Sequence, residues 1–299
     1  MFAAAAPTIT LDNTSTANDF WQLLKPRVMS LVVFTGWAGL VGAPQPLNPV
    51  LFLVTLLCIA LGAGSAGAFN MWYDRDIDAV MQRTKNRPIP MGRITPDNAL
   101  AFAIIMNGFA TLFLGVAVAW AAAMWLAFAT FIYVVVYTIW LKRRTPHNIV
   151  IGGLAGALPP VIAWAASSAD MGLSLEPWLL CAIIFLWTPP HFWAIALFAN
   201  DDYKKAGVPM LPVTHGEATT RRHILAYSVL VAIASPLPSV FGQAGIIYGA
   251  ASSILGLLFV ASAWHCYKTH THAAARLLFG YSILFLFLLF GFYMIDRWF

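Results

Sequence analysis

Charge is what this sequence has least of. Asp, Glu, Lys and Arg make up 10% of 299 residues, against about 25% in soluble globular chains. With 60% hydrophobic residues beside it, that scarcity excludes a soluble globular domain. Cysteine is rare too. Cys58, Cys181 and Cys266 share no paired spacing and read as small buried hydrophobes. Strand-like alternation is missing from the apolar runs, which excludes a membrane barrel. No basic residue precedes Lys25, while Asp12 and Asp19 do. Residues 1–24 therefore match neither a signal peptide nor a transit peptide, and they read as a cytoplasmic tail ahead of a bacterial plasma-membrane protein.

What is present is a series of apolar runs, each near the roughly 20 residues a helix needs to cross a bilayer. They lie at 28–43, 49–69, 97–117, 123–141, 149–167, 177–199, 223–241, 244–264 and 277–295. Lipid cannot satisfy a bare backbone, so each run is expected to be helical. The fold class is an all-α polytopic membrane protein, with residues 25–299 as one nine-helix domain. With the N-terminus inside, 16 of the 17 Lys and Arg fall on the inner side and only Arg297 outside. That bias is the signature of cytoplasmic loops, and it puts the C-terminus in the periplasm. The net charge of +5 is thus topological and does not imply nucleic acid. Outer connections are short. Two inner ones, 70–96 and 200–222, hold enough chain to build a site.

The first of these opens with "NMWYDRDIDAVMQRTKNRPIP" at 70–90. Asn70, Asp74 and Asp78 are spaced i, i+4, i+8, so on a helix each lies about 40° from the last, along one face. Two carboxylates and an amide oxygen form a hard-oxygen surface of the kind that suits Mg²⁺ shared with substrate phosphates. Arg83, Lys85 and Arg87 follow, able to grip phosphate oxygens. The plainer alternative is a solvated loop whose acids pair with inner cations. A calcium loop is excluded: its sixth position would be Ala79 and its twelfth Lys85. Upstream, Gly62, Gly64 and Gly67 read as a helix-packing seam.

The second reads "WTPPHFWAIALFANDDYKKAGVPMLPV" at 187–213. Asp201 and Asp202 stand at a span's inner end, followed by Lys204 and Lys205. Two acidic clusters bridged through Mg²⁺ by one diphosphate would stabilise it as a leaving group. His191 lies inside the apolar run, where a histidine is expensive without a role or partner. A general base or a contact to a metal-bearing ring stands against a histidine bonded to a carbonyl freed by Pro189 and Pro190.

These segments, with "LKRRTPHNIVIGGLAGALPPVIAW" at 141–164, resemble the intramembrane prenyltransferases of the UbiA type, from Leu24 onward. The "RTPHNIVIGG" and "AGVPMLPV" segments are similar to its haem-modifying branch. The resemblance implies nine helices around a lateral cavity with the active site at the cytoplasmic side. It implies Mg²⁺-assisted ionisation of farnesyl diphosphate and attachment of farnesyl to a vinyl carbon of haem b, with water added, giving haem O. Membrane lipid and a downstream haem-modifying enzyme are the other expected partners. By position, Asn70, Asp74, Asp78 and Asp202 become metal ligands; Arg83, Lys85, Arg87, Asp201 and Lys204 contact substrate; His191 joins Asp74, Asp78 and Asp202 in catalysis. His191 stands where the wider superfamily more often has another acid of the second motif. Trp187, Phe192 and Trp193 are candidates to stack near a flat ring. Prenylation of another ring, a cation transporter and a scaffold are the rival readings.

Overall fold

The computed structural model describes residues 15–297. Among them every regular element is helical: α1 (Ala17–Leu23), α2 (Pro26–Gly42), α3 (Pro49–Tyr73), α4 (Arg75–Val80), α5 (Pro96–Ala117), α6 (Trp120–Leu141), α7 (Asn148–Ala157), α8 (Pro159–Ser167), α9 (Leu175–Phe198), α10 (Asn200–Lys205), α11 (Leu211–Ala234), α12 (Leu237–Val240), α13 (Ile246–Thr269) and α14 (His272–Asp296). Taking α7 with α8 and α11 with α12, eight spans are long and apolar enough to cross a membrane. The remaining apolar segment, α2, has 17 residues. The protein is therefore a polytopic all-helical membrane protein. Proline stands within the first turn of α2, α3, α5, α8 and α11, where its missing N–H costs nothing and its fixed φ favours the helix.

The spans form a closed ring. α3 packs on α2 and α5, α5 on α6, α7 on α6 and α9, α9 on α11, α13 on α11 and α14, and α14 closes on α2. α8 lies inside, against α2 and α6, and all nine of its residues are buried. Close approach there depends on Gly39 of α2: a Cβ would fall 2.7 Å from both Cα and O of Pro160.

The described part of the tail is helical, and the reading of 200–222 as loop is corrected. Residues 1–14 lie outside the described residues, but 17–23 form α1, closed by a Thr16–Asp19 capping box. Leu23 of α1 joins a cluster with Ala68, Met71, Ile89 and Ile94. The inner segment expected as loop over 200–222 is helical in α10 and again from Leu211. It breaks at Gly216 (φ 79°, ψ 163°), a left-handed backbone that glycine tolerates. The polar run through Thr219, Thr220, Arg221 and Arg222 masks the helix because hydropathy alone does not mark it.

The two ends differ chemically. At one, Glu176 is buried and bonded by Tyr293 and Arg297. At the other, α4 and α10 carry the acidic clusters.

Candidate active site

α3 ends at Tyr73, and Asp74 (φ −89°, ψ 14°) is the joint to α4. The hydrogen-bond ladder survives it: Asp74 N bonds to Asn70 O at 2.9 Å, and Asp78 N to Asp74 O at 2.8 Å. The helix bends without losing register, so the expected face persists. Asn70, Asp74 and Asp78 are 4%, 0% and 2% exposed, while Arg75, Asp76, Ala79 and Val80 face outward.

Buried carboxylates need partners, and these come from distant segments. Lys142 Nζ bonds Asp74 Oδ2. Asn70 Nδ2 donates to the same oxygen at 2.6 Å and to Thr138 Oγ1 at 3.2 Å. Arg87 Nη1 bonds Asp78 Oδ2 at 2.6 Å. Lys25 Nζ donates to Asn70 Oδ1 at 2.8 Å. Lys25 reaches there because the glycine seam of α3 clears its path. A Cβ on Gly67 would sit 3.3 Å from Lys25 Cδ, and one on Gly64 only 2.5 Å from Met29 Sδ. Lys142 and Thr138 are placed by the end of α6, where Ile132–Leu141 is π-helical. Lys142 N bonds Tyr137 O at 2.8 Å, five residues back. Such widened turns recur at functional sites.

Three half-buried cations surround two buried carboxylates. Lys25, Arg87 and Lys142 face Asp74 and Asp78. Withdrawal from water, then Arg87 and Lys142, hold the Lys25 ammonium well below the usual lysine range. An anion entering beside these cations would relieve that repulsion.

Asp202 is brought to this region by a bond to the first inner segment. The backbone N–H of Arg83 donates to Asp202 Oδ2 at 3.3 Å, and Tyr203 packs with Ile77 and Met81. The two acidic segments therefore share one end of the bundle and touch. The side chains of Arg83, Lys85, Asp201 and Lys204 are exposed. An open cleft of about 310 Å³ lies between α4 and α10, lined by Asp76, Arg143 and Lys205 among others. Arg143 forms a two-toothed pair with Asp76, at 2.7 and 2.8 Å.

Does the face suit Mg²⁺? Asp74 Oδ1 is buried without a hydrogen bond, with Arg143 Nη2 3.5 Å away. An orphaned carboxylate oxygen beside Asp78 and an amide is a hard donor set. Among the described residues no three of His, Cys, Asp or Glu form a preformed cage. The donors fit an ion that takes its remaining oxygens from a ligand.

His191 lies within α9. It is 8% exposed. Its Nδ1 lies 2.7 Å from Ser282 Oγ on α14, rather than on a carbonyl freed by the proline pair. Trp187 stacks on it at 4.3 Å, and Phe192 meets it edge-on at 5.2 Å. Trp193 is turned elsewhere, against His223 and Tyr227. Sequence reading missed Lys25, Thr138, Lys142 and Ser282. The two lysines counted only toward topology, and nothing local marks the others.

The fold is that of an intramembrane helical bundle that gathers buried carboxylates and half-buried cations at one end. The chain belongs to the UbiA prenyltransferase family, whose model matches residues 31–290. A relative from Parvibaculum lavamentivorans, named protoheme IX farnesyltransferase, is 54% identical over 285 residues, 94% of this chain and 89% of its own. Solved structures share the fold. One, from work on digeranylgeranylglyceryl phosphate synthase in membranes, has a TM-score of 0.74 at 17% identity, covering 94% of this chain and 98% of that one. A UbiA homolog from Archaeoglobus fulgidus bound to GPP and Mg²⁺ has 0.62 at 18% identity, covering 93% and 99%.

Proposed function

We propose that the protein transfers the farnesyl group of farnesyl diphosphate to a vinyl group of haem b, with addition of water, giving haem O and diphosphate. The observation that carries the diphosphate half is the buried node of Asp74, Asp78, Lys25, Arg87 and Lys142. The haem half is supported by the name and 54% identity of the Parvibaculum relative over nearly the whole chain. It is also supported by the aromatic surroundings of His191.

In this reading Asn70, Asp74, Asp78 and Asp202 would hold Mg²⁺, and the A. fulgidus homolog bound to GPP and Mg²⁺ supports that choice of ion. The ion supplies positive charge to the diphosphate oxygens. Arg87 and Lys142 exchange part of their bonding from carboxylate to phosphate, and Lys25 adds a third cation. Arg83, Lys85, Asp201 and Lys204 lie at the rim, where they meet an arriving diphosphate in water. The C1–O bond of the substrate breaks, diphosphate keeps the electron pair, and the vinyl π electrons of haem close on C1. Water takes the neighbouring carbon and loses a proton. The apolar spans keep other water from the allylic cation. The farnesyl tail enters from the bilayer. The active end faces the cytoplasm of a bacterial inner membrane, with Arg297 and the C-terminus in the periplasm, which agrees with the basic residues on the node side. Residues 25–299 act as one catalytic domain, and a downstream haem-modifying enzyme takes the product.

Incubating membranes that contain the full chain with haem b, farnesyl diphosphate and Mg²⁺ is the test. A new haem with the mass of haem O and matching diphosphate release are expected. Prenylation of 4-hydroxybenzoate with haem left unchanged would transfer the reading to another ring. Ion uptake without diphosphate release would make the protein a carrier.

A further inference from the structure

Ser282 Oγ makes two short contacts. It lies 2.6 Å from the carbonyl of Phe279 and 2.7 Å from His191 Nδ1. A carbonyl only accepts, so the single hydroxyl proton of Ser282 points at Phe279. Toward His191 the hydroxyl then offers only a lone pair, and Nδ1 must carry the imidazole proton. The neutral ring keeps its free lone pair on Nε2. Nε2 makes no hydrogen bond among the described residues. It is also absent from the sealed, partnerless atoms, which include the indole nitrogens of Trp164 and Trp193; it therefore keeps an accessible face.

The ring is also held in orientation. Trp187 stacks at 4.3 Å and 21°, and Phe279 lies at 4.9 Å and 32°. The Trp187 indole donates to the Ser282 carbonyl at 2.8 Å. Ser282 thus ties both rings of α9 to α14. A fixed tautomer, a fixed plane and an open lone pair among aromatics are the requirements of a nitrogen ligand to iron.

We propose that Ser282 fixes the tautomer of His191 so that Nε2 ligates the iron of haem b and sets the ring for farnesylation. The inference rests on haem b as the acceptor. His191 is then a substrate-binding residue, and Ser282 a positioning residue that acts through it.

The test uses the full-length protein in detergent, titrated with haem b and followed by optical and electron paramagnetic resonance spectra. The wild type is expected to show a histidine-ligated signature. His191→Ala is expected to lose it, with added imidazole restoring it. Ser282→Ala is expected to weaken haem binding about tenfold, the scale for removing a partner that orients a metal-bound histidine. Ser282→Thr is expected to restore binding, and the KM for farnesyl diphosphate to stay unchanged in both Ser282 variants. Should His191→Ala or Ser282→Ala keep the wild-type spectrum and affinity, the assignment is overturned. It also fails if Thr does not rescue Ser282→Ala, which would leave Ser282 a packing residue. Haem O formation by the wild type separates the two levels. Product without spectral change in the variants defeats this inference alone, whereas no product from haem b defeats the substrate reading itself.

Discussion

Lys142 closes on Asp74 across 68 residues of chain, with the carboxylate wholly withdrawn from solvent. The pair joins the end of α3 to the π-helical end of α6. Each partner satisfies a charge that neither segment could bury alone. On the proposed reading one geometry serves stability and substrate binding, and the two roles can be separated by experiment.

Asp74→Asn leaves Lys142 without its counter-charge. Breaking a buried pair in this way costs about 3–5 kcal/mol, so the thermal midpoint in detergent should fall. Lys142→Met added to Asp74→Asn should recover most of that loss while farnesyl transfer stays at least about 100-fold down, the scale for removing a preorganised charge partner. Recovery of activity along with stability would remove Asp74 from the chemistry.

Arg87 and Lys85 are two residues apart yet differ in kind. Arg87 bonds Asp78 at 2.6 Å and is 22% exposed at its side chain; Lys85 is exposed. Arg87→Ala should lower kcat/KM for farnesyl diphosphate about 100-fold. Lys85→Ala should change it by no more than about threefold, as for surface charges. Equal losses in steady-state kinetics would contradict the burial argument.

Asp76 carries a pH signature. Its hydrogen bonds from Arg143, aided by charge, hold the carboxyl below its usual 3.8. A depressed carboxylate stabilises the fold above that ordinary value and loses this contribution as pH falls from there through its lowered folded value. Between about pH 6 and about pH 3 the wild type should lose more thermal stability than Asp76→Asn. Parallel melting curves for the two proteins would show that the pair contributes nothing.

Gly39 and Gly156 give a packing contrast. A Cβ at Gly39 meets the Pro160 backbone at 2.7 Å, and one at Gly156 meets nothing within 4 Å. Gly39→Ala should cost about 1–3 kcal/mol by overpacking, whereas Gly156→Ala should stay within about 0.5 kcal/mol. Midpoints of unfolding in detergent decide it, and a neutral Gly39→Ala would mean that α2 and α8 part without strain.

The spans were legible because lipid imposes one rule on every backbone group, so long apolar runs had little choice. Even their starts were marked, by prolines such as Pro49 and Pro96 in first turns. Asn70, Asp74 and Asp78 could be placed on one face because that relation is local. What sequence withheld was who sits opposite. Lys25 meets Asn70 from 45 residues away, and His191 meets Ser282 from 91. Those pairs are set by how helices pack in the ring, and no spacing encodes that. α10 and the start of α11 were hidden for another reason, since their polar residues mimic a loop.

The π-helical end of α6 has a consequence for what this protein can tolerate. Its outward residues Val135, Ile139 and Trp140 are exposed, so lipid would accept many apolar replacements there. A single insertion or deletion between Phe131 and Lys142 is a different matter, because one residue turns everything after it by about 100° around the axis. Lineages carrying this chain should therefore vary freely at those outward positions, yet keep the length of the stretch and its inward Thr138 and Lys142.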